Sequence, residues 1–154
     1  MSTAAQLNKI LGHRKDYAGV FLYDQIGDIK VFEKKAYIVN YITTQEITIE
    51  GHYVVLDFRG DQPYYFDAYG LPPDRPRDIL GLPNPHIVSR ILNNHGSWEY
   101  NKEDYQAWIQ GDNDCGQYCT MFIIQPDLNK FPWVGRLPQP YEDQAVALFG
   151  LVLN

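Results

Sequence analysis

The chain has 154 residues, 45% of them hydrophobic and 14% aromatic, and a formal net charge of −6 at pH 7. This size and content predict a single domain over residues 1–154 with one hydrophobic core, and they exclude a disordered chain. The acidic charge argues against DNA binding, which depends on clustered Lys and Arg, and the lack of a run of about 18 apolar residues argues against a membrane protein.

The N-terminal half is predicted to form one helix followed by β-rich segments. The helix covers residues 3–12, because Thr3 and Gln6 have the spacing of a capping box and Gly12 can end it. No secretory signal is expected, since residues 1–16 lack an apolar stretch. The segments that follow are dense in Val, Ile, Tyr and Phe and are separated by turn residues. Strands are expected at 19–24, 36–42, 46–50, 52–58 and 64–67.

The middle of the chain carries loop and helix signals. Residues 70–77 contain three prolines and are predicted to be a loop, because proline cannot donate a backbone hydrogen bond. A helix is expected over 84–94, with Asn84 as its N-cap and Pro85 at its first position. A short strand is predicted at 97–101, before the chain reaches its two cysteines.

Two further helices complete the predicted architecture. The pattern becomes helical over 114–125, where an apolar run follows the cysteines, and residues 141–154 are predicted to be a closing amphipathic helix. Strands in the middle of the chain with helices at both ends indicate an α+β fold. In this fold a central mixed or antiparallel sheet is flanked by helices.

Both cysteines lie in the stretch Asp114-Cys115-Gly116-Gln117-Tyr118-Cys119. A disulfide, half of a metal site and a nucleophile on a helix are the possible roles of this pair. Asp114 is a preferred N-cap, so Cys115 is expected at the N-terminus of a buried helix, where backbone N–H groups and the helix dipole favour an anion. The thiolate is the nucleophilic form of cysteine, which makes Cys115 a candidate nucleophile. A small buried core residue is the alternative.

Cys119 lies one helical turn further along the same face. Two cysteines at i and i+4 in a helix hold their Cβ vectors nearly parallel, which fits disulfide geometry poorly. A metal site needs further ligands, and the sequence contains no C-x-x-C or H-x-x-x-H pair. Cys119 is therefore predicted to be core packing, and no metal or cofactor is expected.

A nucleophilic cysteine needs a base, and the base needs a group that orients it. Among the four histidines, His52 begins the most apolar predicted strand, whereas the other three lie in polar turns or at a helix start and are expected at the surface. Asp67 ends the next strand along the chain. Two antiparallel strands joined near residue 60 would bring His52 and Asp67 together as a base and its orienting carboxylate.

Four stretches taken together resemble the adenovirus-type cysteine proteases, the adenain family. They are Gly51-His52-Tyr53-Val54-Val55-Leu56, Tyr65-Phe66-Asp67-Ala68-Tyr69-Gly70-Leu71-Pro72-Pro73, Tyr100-Asn101 and Asp114-Cys115-Gly116-Gln117-Tyr118-Cys119. The versions found in virophages and large viral transposons are the most similar, and the ubiquitin-like-protein proteases are similar more distantly. The resemblance covers roughly residues 18–125 and implies an adenain-like, papain-related fold with the nucleophile at the N-terminus of a buried helix.

The resemblance implies a role for each matching residue. Cys115 would be the nucleophile, His52 the general base and later the acid, and Asp67 the group that holds the imidazole. The oxyanion hole would be formed by the Cys115 backbone N–H and a Gln side chain upstream. Gln106 is preferred for this position because it keeps the family's Tyr-Asn-x-x-x-x-Gln run, with Gln110 as the alternative; neither has the family's usual spacing to the cysteine.

The resemblance implies a viral cysteine endopeptidase that cleaves capsid and virion precursor proteins after small, Gly-type residues during maturation. A deubiquitinase or ubiquitin-like-protein hydrolase, and a non-catalytic capsid-associated binding module with the same fold, are the alternatives. Tyr53 stands where many relatives have a Trp, which keeps an aromatic side chain after the histidine. Capsid precursors are the expected partners, the sequence identifies no activating peptide, and the acidic charge argues against DNA as an activator. The virion and the host-cell cytoplasm or viral factory are the expected locations.

Overall fold

The structure, a computed structural model, describes residues 3–48, 51–102 and 115–128. Within these ranges five strands form one sheet in the order β1-β2-β3-β4-β5. They are β1 (Tyr17–Leu22), β2 (Ala36–Asn40), β3 (Tyr53–Asp57), β4 (Tyr64–Phe66) and β5 (Glu99–Tyr100). The two outer pairs are parallel and the two inner pairs antiparallel, so the sheet is mixed.

Helices cover both faces of this sheet. Those of the described residues are α1 (Ala4–Leu11), α2 (Tyr23–Asp28), α3 (Arg75–Ile79), α4 (Ile87–Asn94) and α5 (Cys115–Ile124). On one face, Leu11 of α1 and Phe122 of α5 form a buried cluster with Val55. On the other face, residues of α2 and α4, among them Leu92, form a second cluster with Leu56. Adjacent residues of a strand point to opposite faces, so β3 supplies both clusters. The predicted α+β class, with Cys115 at the start of a buried helix, is confirmed.

Most predicted elements are present with slightly different bounds. Thr3 is the N-cap of α1 and forms the expected capping box with Gln6, and Gly12 is the C-cap. The helix predicted at 141–154 lies outside the described residues. The strands predicted at 36–42, 52–58, 64–67 and 97–101 correspond to β2, β3, β4 and β5, and the helix predicted at 114–125 corresponds to α5.

The strand predicted at 19–24 is displaced, because β1 ends at Leu22 and Tyr23 begins helix α2. The side chain of Gln25 stabilises this start, since its Oε1 accepts the Leu22 N–H at 2.9 Å. Tyr23 and Ile26 are both buried and lie on one face of the helix. The apolar run of β1 continues into α2 without a turn residue, so the sequence pattern did not reveal the change from strand to helix.

The strand predicted at 46–50 is wrong for residues 46–48, the part of it that the structure describes. A turn forms there: Glu46 Oε1 accepts the Thr43 N–H, and the Glu46 N–H is donated to the Thr43 carbonyl, both at 2.9 Å. The Glu46 carboxylate is also bound by Arg77 at 2.6 Å. This long-range ion pair holds the segment as a turn, and Ile47, whose position suggested a strand, is 67% exposed.

The segment 70–77, predicted as a loop because of its prolines, is only partly irregular. Helix α3 begins within it at Arg75, and Pro76 lies in the first turn, where a missing N–H breaks no intrahelical hydrogen bond. Arg77 is 2% exposed and donates to the Tyr41 carbonyl at 3.1 Å. The prolines therefore restrict where helix α3 can begin but do not prevent a helix in this segment.

Helix α4 begins at Ile87, so the prediction of Asn84 as its N-cap and Pro85 as its first residue is wrong. His86 precedes the helix with a left-handed φ of 55°, and its side chain makes no capping hydrogen bond. Asn84 has another role: its Oδ1 accepts the His86 N–H at 3.1 Å, and its Nδ2 donates to the Asp74 carbonyl at 3.0 Å. The helix takes its cap from another part of the chain.

Asp74 supplies that cap. Its fully buried carboxylate accepts the N–H groups of Val88 at 3.1 Å and Ser89 at 2.7 Å. The Ser89 hydroxyl donates to it at 2.6 Å and the Tyr23 hydroxyl at 2.8 Å. The N-terminal end of a helix dipole and four donors stabilise a buried negative charge, so Asp74 joins α2, α3 and α4.

Replacing Asp74 with alanine is expected to lower the free energy of unfolding by about 3 kcal/mol, because buried donors on Tyr23, Val88 and Ser89 would lose their acceptor. Urea denaturation followed by circular dichroism measures the loss. The control is Asp78→Ala, which removes a half-exposed carboxylate of α3 and is expected to change stability by no more than about 0.5 kcal/mol. Equal losses in the two variants would contradict the capping role of Asp74.

Candidate active site

His52 and Asp67 lie side by side at one end of the sheet. Strands β3 and β4 are antiparallel, with Val55 opposite Phe66, so the residue before β3 and the residue after β4 reach the same edge. His52 Nε2 lies 2.7 Å from Asp67 Oδ1, and the two side chains are 4% and 0% exposed. The adjacency predicted from the turn between these strands is therefore present, while the catalytic roles of the two residues stay predictions.

Cys115, the first residue of α5, brings its thiol to this pair. The helix packs against β3, and Cys115 Sγ accepts the backbone N–H of Tyr53 at 3.4 Å. The Cys115 thiol also interacts with the His52 side chain and contributes to raising the pKa of the imidazole. Asp67 binds the imidazole at Nε2. The three residues form one continuous Cys–His–Asp arrangement, to which Tyr53 adds a donor that the sequence did not indicate.

The charge state of His52 follows from these contacts. Burial lowers the pKa of His52, but the negative charge of Asp67, its hydrogen bond and the contact with Cys115 outweigh burial and raise the pKa to about 10. The imidazole therefore holds a proton across neutral pH. An imidazolium can protonate a leaving amine.

Cys119 has a different environment from Cys115. Its side chain is fully buried, and burial raises the pKa of its thiol well above the ordinary value, with Cys115 and Asp67 adding to the effect. The two sulfurs are not bonded to each other. In residues 3–48, 51–102 and 115–128, no three His, Cys, Asp or Glu side chains are grouped so that they could hold a metal ion. The prediction that Cys119 is part of the core is confirmed.

Two tyrosine rings flank the imidazole of His52. The Tyr69 ring stacks on it with centroids 4.7 Å apart, and the Tyr41 ring lies nearly parallel to it at 6.5 Å. Tyr69 also donates its backbone N–H to Asp67 Oδ1 at 2.9 Å, so one carboxylate oxygen binds both the ring and the turn that follows. These contacts restrict rotation of the imidazole. Sequence reasoning missed both tyrosines, since spacing alone does not show which ring reaches the histidine.

The C-terminal end of α5 is also hydrogen-bonded by a side chain from outside the helix. Arg59 Nη1 donates to the Ile123 carbonyl at 2.8 Å, where a cation is favoured by the helix dipole. The same guanidinium binds both oxygens of Asp57, at 2.9 and 3.0 Å, and lies 3.1 Å from Asp16 Oδ2. Both ends of the helix that carries Cys115 are thereby connected to β3, a role of Arg59 that the sequence did not indicate.

Gly51, directly before His52, contacts the Asn40 carboxamide so closely that an added Cβ would overlap Asn40 Oδ1. We expect Gly51→Ala to lower the free energy of unfolding by about 1–2 kcal/mol. Asn40→Ala removes the overlapping group, so the double variant is expected to regain most of the loss. A double-mutant cycle from urea denaturation tests this, and strictly additive effects of the two changes would contradict it.

Several predicted features lie outside the described residues. They are Gln106, Gln110 and the Asp114 cap. The side-chain donor of the oxyanion hole therefore stays a prediction, as does the role of the Cys115 backbone N–H. The remaining histidines are exposed, as predicted: His13, His86 and His95. In the part of the chain that the structure describes, no helix has both the length and the apolar character needed to cross a membrane.

Comparison with known proteins gives sparse results. No family model matches the chain, and no curated protein matches it. Among solved structures, the crystal structure of the ASFV pS273R protease is similar with a TM-score of 0.43 and 14% sequence identity, over 80% of this chain and 56% of that protein. The selenomethionine form of the same protease aligns with a TM-score of 0.29 and 20% identity, over 57% of this chain and 33% of that one. The chain thus spans little more than half the length of that protease.

Proposed function

We propose that this chain is a viral cysteine endopeptidase that cleaves capsid and other virion precursor proteins after small residues such as Gly during maturation. The observation that carries the proposal is the arrangement of Cys115, His52 and Asp67. A thiol at the start of a buried helix lies beside an imidazole that contributes to this site, and a buried carboxylate binds the Nε2 atom of that imidazole. A nucleophile, a base and an orienting group in this order are what acyl transfer through a thioester requires.

In the proposed reaction the Cys115 thiolate attacks the scissile carbonyl carbon. The oxyanion is stabilised by the Cys115 backbone N–H and by a Gln side chain, Gln106 or Gln110. His52 gives its proton to the leaving amine, and a thioester to Cys115 remains. The neutral His52 then takes a proton from water as that water attacks the thioester, and the carboxylic acid product leaves while the Cys115 thiolate and the His52 imidazolium are regenerated. Asp67 keeps the imidazole in the orientation that both proton transfers need.

The substrate class is supported by the sequence resemblance to the adenovirus-type proteases, which rests on the four matching stretches taken together. Capsid precursors are the proposed partners, and the virion and the host-cell cytoplasm or viral factory are the proposed locations. The net charge of −6 argues against DNA as an activator. An activating peptide is compatible with the proposal but has no identified sequence.

A substrate panel tests the proposal. The protein is incubated with capsid-derived peptides that contain Gly and with fluorophore conjugates of ubiquitin and ubiquitin-like proteins, and the products are identified by mass spectrometry. We expect cleavage of the capsid peptides after Gly and no release of fluorophore. Fluorophore release alone would indicate a tag hydrolase instead. Cleavage of neither class, together with a Cys115 that iodoacetamide does not modify, would indicate a non-catalytic binding module.

A further inference from the structure

Directly after β4, a side chain makes the backbone hydrogen bonds that a neighbouring strand would otherwise make. Pairing of β4 with β5 stops at Tyr65 opposite Tyr100, and its pairing with β3 stops at Phe66. Asp67 lies beyond both, yet its backbone N–H and its carbonyl are both hydrogen-bonded to one side chain. Asn101 Oδ1 accepts the Asp67 N–H at 2.9 Å, and Asn101 Nδ2 donates to the Asp67 carbonyl at 2.5 Å. Asn101 is 4% exposed, so this clamp is buried.

The clamp requires a donor and an acceptor on one short side chain. A carboxamide has both, whereas a carboxylate has only acceptors and an aliphatic side chain has neither. Asn101 therefore continues, for one residue, the pattern of hydrogen bonds that a neighbouring strand would make. Without it, the buried Asp67 N–H would lose its acceptor and the Asp67 carbonyl would keep only the Gly70 N–H, at 2.8 Å, so the backbone at Asp67 would be held less firmly.

We infer that Asn101 is a positioning residue: by clamping the Asp67 backbone it holds Asp67 Oδ1 against His52 Nε2. The catalytic meaning of this inference rests on the proposed function. The contacts run from Asn101 to the Asp67 backbone, from Asp67 Oδ1 to His52 Nε2 at 2.7 Å, and from His52 to the Cys115 thiol. A displacement of about 1 Å at Asp67 would take this carboxylate out of hydrogen-bonding distance of the imidazole.

The test compares Asn101→Leu with Asn84→Leu. Asn84 is a matched control because its Oδ1 also accepts a backbone N–H, that of His86, and its Nδ2 also donates to a backbone carbonyl, that of Asp74. It lies in the loop before α4 rather than at the end of β4. Two measurements report on the site without a peptide substrate. They are the downfield proton resonance of the His52 ring N–H bound to Asp67, and the rate at which iodoacetamide alkylates Cys115 at pH 7, followed by mass spectrometry.

We expect Asn101→Leu to lose or broaden the downfield resonance and to slow alkylation by about 10-fold or more. We expect Asn84→Leu to keep the downfield resonance and an alkylation rate within about 2-fold of wild type. This should hold even if its unfolding midpoint falls as far as that of Asn101→Leu. A folded Asn101→Leu protein with both measurements unchanged would overturn the inference. If that variant does not fold, Asn101→Ser, which can keep one of the two hydrogen bonds, is measured in the same way, and unchanged values there overturn it too.

The outcome for Asn101 is separable from the outcome for the proposed function. Neither the resonance nor the alkylation rate depends on peptide cleavage, so a wild-type protein that cleaves no peptide still allows both measurements. In that case the proposed function fails and the positioning role of Asn101 is still decided by its own result. Conversely, if the wild-type protein cleaves capsid peptides while Asn101→Leu leaves the resonance and the alkylation rate unchanged, only the inference about Asn101 is overturned.

Discussion

Replacing Cys115 with alanine is expected to lower kcat/KM for capsid-derived peptides by about 10⁵-fold or more. Cys115 is the proposed nucleophile; it interacts with His52 and lies at the first position of α5. Without the sulfur no thioester forms, and the remaining groups can only polarise a bound substrate. Initial rates with a fluorogenic peptide, followed over hours with concentrated enzyme, measure a loss of this size.

Cys119→Ala is the control for that experiment, because it removes the other thiol of the same helix. Cys119 is fully buried and one turn away, so we expect a stability loss of about 1 kcal/mol and a kcat/KM within a few-fold of wild type. Thermal unfolding of both variants shows whether each is folded under the assay conditions. A Cys115→Ala protein that cleaves as fast as wild type, or a Cys119→Ala protein that loses cleavage while folded, would refute the proposed mechanism.

The adjacency of His52 and Asp67 was predictable because it depends on local rules. Two apolar strands separated by a turn pair antiparallel, and the register then brings the start of one to the end of the other. The position of Cys115 at a helix start was likewise indicated by Asp114 and by the apolar run that follows. Each of these signals lies within a few residues of the feature that it predicts, so no tertiary contact had to be known.

The supporting contacts were not predictable, because each joins residues far apart in the chain. The Asn101 carboxamide reaches Asp67, and the Asp74 carboxylate caps a helix that begins at Ile87. No local rule of strand or helix formation predicts either contact, and the Tyr-Asn-x-x-x-x-Gln run that contains Asn101 does not show what its carboxamide binds. The error at 46–50 has the same origin: alternating isoleucines favour a strand locally, while the ion pair between Glu46 and Arg77 holds a turn.

Asp67→Asn is expected to lower kcat/KM near neutral pH by about 100-fold or more. The carboxylate accepts the His52 Nε2–H and stabilises the imidazolium, whereas an amide can turn its NH₂ group toward the ring and favour the wrong tautomer. The substitution also removes the charge that outweighs the burial of His52, so the pKa of His52 is expected to fall from about 10. Cleavage needs the imidazolium as a proton donor and declines as pH rises through this pKa.

The decline in cleavage on the alkaline side should therefore begin at lower pH in Asp67→Asn than in wild type. The pH dependence of kcat/KM, together with an NMR titration of the His52 ring, measures both shifts. Asp74→Asn is the matched control, since Asp74 is also a fully buried carboxylate but binds the start of α4 rather than His52. We expect it to lower stability and to leave the alkaline limb in place. An unchanged alkaline limb in a folded Asp67→Asn protein would show that Asp67 does not set the charge of His52. An unchanged kcat/KM near neutral pH would contradict the orienting role proposed for this carboxylate.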